Sequence, residues 1–219
     1  MLIKLKNKLN SMGENNRIVF INIIGAFIVK GGALIVSMCT LPAYIAFFHN
    51  EIVLGIWYTL LSIINWVLYF DLGIGNGLRN HLTRVISIKE TQNSNEARKY
   101  ISSAYFSVGV ISILLMVALA FLALIVDWNI LLNITTSQVS AKALKISVLI
   151  VFGGIILQLF LRNINSVLYA IQKSSINNFL SLLTSIITLF FVLIIPSKDN
   201  DSNMIMMAII HSVAVTLPL

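Results

Sequence analysis

Long apolar runs, broken at intervals by short polar segments, set the pattern of this chain. A hydrocarbon core of roughly 30 Å requires about 20 mostly apolar residues in a helix. Windows of that length fall at residues 18–41, 52–70, 100–126, 145–171, 176–195 and 204–219. The pattern therefore predicts an all-α integral membrane protein. Residues 18–219 are expected to form a six-helix transmembrane bundle behind an amino-terminal segment, residues 1–17, with one long polar loop at residues 71–99. From Leu78 that loop sets Leu82, Val85, Ile86 and Ile88 against His81, Arg84 and Lys89. Such alternation predicts an amphipathic helix on a membrane surface.

Composition agrees, since 58% of the 219 residues are hydrophobic and only 11% charged, with a mean hydropathy of +0.93. A water-soluble globule is thereby excluded. The net charge of +7 reads first as topology, because cytoplasmic segments retain Lys and Arg. Lys4, Lys6, Lys8, Arg17, Arg79, Arg84, Lys89, Arg98, Lys99, Arg162 and Lys173 fall on one predicted side, and only Lys142, Lys145 and Lys198 on the other. The amino terminus and the 71–99 loop are accordingly predicted to be cytoplasmic. The basic start and following apolar run lack a small-residue cleavage site and read as an uncleaved first span. Cys39 is the only cysteine, so neither an intrachain disulfide nor a cysteine metal cluster is expected. Asn133-Ile-Thr135 and Asn200-Asp-Ser202 match glycosylation sequons and are read as chance. The sixth window stops at Leu219 without a polar flank, which reads as a truncated chain or reading frame.

Polar residues recur inside the spans at helical spacing, where lipid would not tolerate them. Asn22, Ala26, Lys30, Ala33 and Ser37 share one face of the first span. Gly55, Tyr58, Ser62, Asn65 and Tyr69 share one face of the second. The fourth span is the most polar, with Ser147, Gly154, Gln158, Arg162, Asn165 and Tyr169, and the fifth offers Asn177, Ser181, Thr184 and Thr188. Small and hydroxyl residues of this kind also let membrane helices approach closely and hydrogen-bond. Packing does not account for Lys30, which lies near mid-span, where a cation costs roughly 2.5–3.5 kcal/mol on insertion scales. Snorkelling would require a reach of some 18 Å, so a water-filled cavity is the better explanation. Arg162 sits closer to the cytoplasmic interface, where an anchoring role is also ordinary. Gln158 and Asn165 flank it, and amides beside a guanidinium suit phosphate or sugar oxygens. Two such cations with no mid-span Asp or Glu imply an anionic cargo.

Three alternate glycines in Asp71-Leu-Gly-Ile-Gly-Asn-Gly-Leu-Arg-Asn80 follow a membrane helix and lack the endings of nucleotide-binding loops. They are read as an irregular elbow after a helix ended by Asp71 and Gly73. This segment, with Gly55-Ile-Trp-Tyr-Thr-Leu-Leu-Ser62 before it and Ala97-Arg-Lys-Tyr-Ile-Ser-Ser-Ala-Tyr105 after it, resembles the amino-terminal half of polysaccharide and O-antigen flippases. That family belongs to the multidrug, oligosaccharidyl-lipid and polysaccharide exporter superfamily. Weaker likeness extends over nearly the whole chain, including Lys30-Gly-Gly32 and Asn163-Ile-Asn-Ser-Val-Leu-Tyr-Ala-Ile-Gln-Lys173. The resemblance implies half of a fold of twelve or more helices, alternating access in a bacterial cytoplasmic membrane, and a polyprenyl-diphosphate-linked oligosaccharide as cargo for surface polysaccharide, O-antigen or lipopolysaccharide synthesis.

The expected function is transport without catalysis and without a cofactor or metal, and the expected partners are membrane lipid, the lipid-linked substrate and the missing carboxy-terminal half; no nucleic acid is implied. The substrate-contacting candidates are Lys30, Arg162, Gln158, Asn65, Asn22 and Tyr58. The candidate structural or gating motif comprises Asp71, Gly73, Gly75, Asn76, Gly77, Arg79 and Asn80. A drug or cation exporter of the same superfamily would need a mid-span carboxylate, and this chain has none at that depth. A non-transporting fragment is the other alternative. A membrane glycosyltransferase would need acids gathered at one face, whereas Asp71 and Asp127 fall on opposite predicted sides.

Overall fold

The apolar runs all lie in helices. In the computed structural model, which describes residues 14–69, 73–87, 93–134 and 137–219, every regular element is α-helical. In chain order these are α1 (Glu14–Phe48), α2 (Glu51–Tyr69), α3 (Ile74–Ser87), α4 (Asn93–Ile125), α5 (Trp128–Leu131), α6 (Ala141–Leu161), α7 (Asn163–Ala170), α8 (Ser174–Ile194) and α9 (Asn200–Thr216). Four stretches are long and apolar enough to cross a membrane: Ile23–Phe48, Asn95–Leu122, Ala141–Ala170 and Ser174–Ile194. They correspond to the first, third, fourth and fifth predicted spans. The described apolar stretch of α2, Glu51–Ile63, is shorter, and α9 has 17 residues.

Side-chain caps start several of the helices, and they sit at one end of the bundle. Asn50 Oδ1 accepts from Ile52 N at 3.0 Å and opens α2, immediately after His49 reverses the chain with φ of 51°. Ser140 Oγ accepts from Ala143 N at 3.2 Å and opens α6; Asp199 accepts from Ser202 N at 3.1 Å and opens α9. Each cap satisfies a backbone donor that the first helical turn leaves free. The same residues tie the connections together. Asn50 Nδ2 donates to Gln138 Oε1 at 3.3 Å, Asn200 Nδ2 to the Gln138 carbonyl at 3.1 Å, and Ser140 N to Asp201 Oδ1 at 2.8 Å. Asn203, buried, accepts from Lys198 N at 2.7 Å and donates to the Phe47 carbonyl at 3.3 Å. The α1–α2, α5–α6 and α8–α9 connections therefore form one polar knot.

Inward from this knot lies the main core, where Phe48, Trp57, Leu60, Leu144, Ile155, Met204 and Met207 are fully buried. α6 packs most extensively on α9, and α1 on α8. The α6–α9 crossing depends on Gly154, because a Cβ there would lie 2.6 Å from Ser212 Cβ. Ser212 Oγ in turn donates to the Ile150 carbonyl at 3.0 Å across the contact, as small and hydroxyl residues do between membrane helices. Outward-facing positions are strongly apolar, including Phe27, Ile35 and Met38 on α1, Phe106, Ile113 and Phe121 on α4, and Phe190 and Leu193 on α8.

Several elements differ from the sequence reading. α1 continues through Pro42 to Phe48, beyond the predicted limit at residue 41, and its 35 residues span about 52 Å at 1.5 Å each. The predicted elbow is shorter than expected. Gly73 adopts φ of 72°, a left-handed conformation that glycine enters at no steric cost, and α3 begins at once, so Gly75, Asn76 and Gly77 form its first turn. Nor is the amphipathic face of α3 left for a membrane surface. Leu78 and Leu82 are buried in a second, smaller core with Ala104 of α4 and Ala170 of α7, whose small side chains let α3 dock closely. Ile86 alone of the described predicted face stays well exposed.

Candidate functional site

The most polar predicted span is not one continuous helix. α6 closes with Arg162 N donating to the Gln158 carbonyl at 2.8 Å, and the chain then tightens, with Asn165 N donating to the Arg162 carbonyl at 2.9 Å. This i→i+3 bond replaces the α-helical ladder for one step, and α7 starts at Asn163. The hitch re-phases the side chains. Asn163, one position off the predicted stripe, is thereby brought to the same cavity as Arg162 and Asn165.

That cavity has a volume of about 160 Å³ and lies where α3, α7 and the start of α8 meet. α3 contributes Gly75, Asn76 and Arg79. The α6–α7 junction contributes Arg162, Asn163, Asn165 and Tyr169, and α8 contributes Asn177. Arg79 stacks over Tyr169, its guanidinium carbon 5.1 Å from the ring centroid. Asn177 Nδ2 donates to the Tyr169 hydroxyl at 2.6 Å. A second cavity, of about 220 Å³, shares Arg162, Asn165 and Asn177 and continues along Gln158, Ser181 and Thr184 toward Val215 of α9. Two arginines thus face linked polar cavities, and among the described residues no Asp or Glu side chain lines either.

Comparison with family models, curated proteins and solved structures gave no match.

Two lining amides carry unused hydrogen-bonding capacity. Asn163 is only 5% exposed, and neither its Nδ2 donor nor the Asn165 Oδ1 acceptor has a partner in the structure. Buried polar groups are normally paired, and an unpaired one costs on the order of 1–3 kcal/mol. Both atoms are closed to solvent, so a polar occupant of the cavity would satisfy them once the amides turn toward it. Among the described residues no group of three His, Cys, Asp or Glu side chains is placed to hold a metal ion.

The structure brings together part of the predicted set. Gln158 and Arg162 share the second cavity, and Gly75, Asn76 and Arg79 of the glycine-rich motif reach the first. Tyr58 lies apart from them. It lines an open hollow of about 660 Å³ with Ser37, Thr40 and Tyr44, at the other end of α1. Lys30 is exposed on α1 and is not among the residues lining the Arg162 cavities. Gly77 is half-buried and Asn80 exposed on α3, and neither is among the lining residues of these cavities. Asp71 and the side chains of Asn22 and Asn65 lie outside the described residues. Asn163 and Ser166 were missed by stripe reading. The run Arg162-Asn-Ile-Asn-Ser166, with four polar residues in five inside an apolar segment, is the signal that could have found them.

Proposed function

We propose that this chain is part of a flippase that moves a polyprenyl-diphosphate-linked oligosaccharide across a bacterial cytoplasmic membrane by alternating access. The observation that carries the reading is the pair of linked cavities holding Arg79 and Arg162 with amides and hydroxyls and, among the described residues, with no Asp or Glu side chain. Guanidinium groups suit phosphate oxygens, with a planar fork of donors that never loses its charge. Amide and hydroxyl side chains suit sugar hydroxyls. The polyprenyl tail requires no protein pocket, since it stays in lipid against the apolar outer faces of α1, α4 and α8. The resemblance of the Asp71–Asn80 segment to polysaccharide flippases supports the same reading.

In this arrangement all six hydrophobic segments cross the membrane, with α3 and the Arg162 junction at the cytoplasmic end. The Asn50, Gln138 and Asn203 knot then caps the opposite face. The bundle supplies one wall of the transport path, and a second bundle or a second copy supplies the other, as in transporters built from two repeats around a midplane site. No bond is made or broken, and the protein acts by presenting the cargo to each face in turn. A cation exporter would require an acidic side chain in the cavity, and among the described residues no Asp or Glu lines it.

The test is complementation of a flippase-null bacterial strain with the complete reading frame. Wild type and Arg162→Lys are expected to restore surface polysaccharide, and Arg162→Ala at equal protein level to reduce it at least tenfold. Full restoration by Arg162→Ala would reject the role of this cavity in transport.

A further inference from the structure

The smaller cavity has features of its own that transport by itself does not require. It is roofed by the first turn of α3, where Gly75 and Asn76 reach the lining. The first turn of a helix carries N–H groups without a partner inside the helix and a partial positive charge, and this helix has 14 residues. Arg79 projects from the next turn of the same helix, and Arg162 faces it across the cavity from the α6–α7 hitch. Beneath them the Asn163 amide donor is buried and has no partner. The volume, about 160 Å³, is roughly ten times what one water needs. It admits a group of several water-sized oxygens and is too small for an oligosaccharide of several rings.

We infer that this cavity is a phosphate-binding site, formed by the α3 amino-terminal turn, Arg79, Arg162 and Asn163, that takes a phosphoryl or diphosphoryl group and excludes the sugars attached to it. Four donor sources converge on one small space, and among the described residues no Asp or Glu side chain lines it. Asn165 Oδ1, a buried acceptor without a partner, suits a protonated phosphate oxygen or a water bound to it once its amide turns toward the cavity. The stacking of Arg79 on Tyr169 holds one face of the guanidinium and leaves its edge N–H groups for the anion. For the biological ligand the inference rests on the transport reading, in which the site would be a docking station for the diphosphate beside the larger Gln158–Thr184 cavity. The anion chemistry itself stands without transport.

The probe is inorganic pyrophosphate, titrated by calorimetry into the full chain in phosphatidylcholine nanodiscs. Saturable binding is expected for wild type and for Arg84→Ala, an exposed position on the same helix that is not among the lining residues. Arg79→Ala and Arg162→Ala should each weaken it at least tenfold, and Asn163→Leu severalfold. Arg79→Lys, which keeps the charge and most of the side chain, should fall between. A parallel titration in nanodiscs containing phosphatidylglycerol separates the sources of the group. A lower apparent affinity there means that lipid headgroups also occupy the site, and an unchanged one assigns it to a group other than bulk lipid. Absence of saturable binding by the wild-type chain, or equal affinity in both alanine variants, would overturn the inference. Because the readout is binding, intact binding with failed complementation would count against the transport reading alone.

Discussion

Arg79 and Tyr169 lie ninety positions apart in sequence and in contact in the fold, with the guanidinium carbon 5.1 Å from the ring centroid. The pair joins the first turns of α3 to α7, and Tyr169 is itself held by the Asn177 amide at 2.6 Å. Three helices thus meet at one aromatic ring beside the small cavity. The two bonds can be separated by substitution. Tyr169→Phe keeps the ring and loses the hydrogen bond, and should cost about 1 kcal/mol. Tyr169→Leu loses both and should cost a further ~0.5–1 kcal/mol. Thermal unfolding in detergent reads the difference, and equal loss in the two variants would deny the cation–ring contact a role.

The α6–α9 crossing is the tightest helix contact at any described glycine, since a Cβ on Gly154 would meet Ser212 Cβ at 2.6 Å and Ser212 Cα at 3.1 Å. Gly154→Ala should therefore destabilise the bundle by about 1–3 kcal/mol, the usual range for overpacking. Ser212→Gly added to it should recover part of that loss. A double-mutant cycle measures the coupling, and strict additivity would show that the two sites do not press on each other.

Asp199 gives a pH-dependent signature at the opposite end of the bundle. The Ser202 hydroxyl donates to its carboxylate at 2.8 Å and the Ser202 N–H at 3.1 Å, and these bonds hold the carboxyl below its ordinary range. A folded-state pKa below the unfolded value of about 3.9 means that the cap contributes above that value and is lost as pH falls through the folded one. Protection of the Ser202 and Asn203 amides, taken relative to their intrinsic exchange rates, should fall on acidification below about pH 4 in wild type. In Asp199→Asn it should stay flat, because the amide oxygen still caps but does not titrate. An acid response of equal size in that variant would assign it elsewhere.

The proposed orientation rests on the uneven distribution of Lys and Arg, and single cysteines in a Cys39→Ser background test it. Sites at residues 92–95 should resist an impermeant thiol reagent in intact cells, and sites near residue 136 should react. The reverse pattern would move the Arg162 cavities to the outer face.

Lys30 is exposed on α1 in a segment apolar enough to cross a membrane, which is costly unless water or a partner covers it. If it draws the anionic cargo, Lys30→Ala should abolish surface polysaccharide at unchanged protein level and Lys30→Arg should keep part of it. Full activity of Lys30→Ala would leave it a structural role only.

Hydrophobic length placed every helix that carries an apolar run, because lipid and core impose the same requirement on those residues. The periodicity of Gln158, Arg162 and Asn165 also anticipated one cavity wall. Sequence spacing failed where helical phase changed. The hitch at Arg162 is made without proline or glycine, so only the density of polar residues in Arg162-Asn-Ile-Asn-Ser166 hinted that Asn163 would turn toward the site. The docking of Leu78 and Leu82 onto Ala104 and Ala170 was hidden for another reason. An amphipathic stripe looks the same whether lipid or protein covers it, and only long-range contact decides. Tyr58 shows a third limit, since a polar stripe on each helix does not say which stripes will share a cavity.

The central claim is that the arginine-lined cavities carry a diphosphate-linked sugar across the membrane. The most direct measurement reconstitutes the product of the complete reading frame in proteoliposomes. It follows transfer of a fluorescent polyprenyl-diphosphate oligosaccharide to the outer leaflet by its cleavage with an added glycosidase. The account predicts time-dependent cleavage beyond the initially accessible half for wild type, and none beyond that half for the Arg79→Ala, Arg162→Ala double variant. Wild-type liposomes that never pass the initial half, or a double variant that matches wild type, would contradict it.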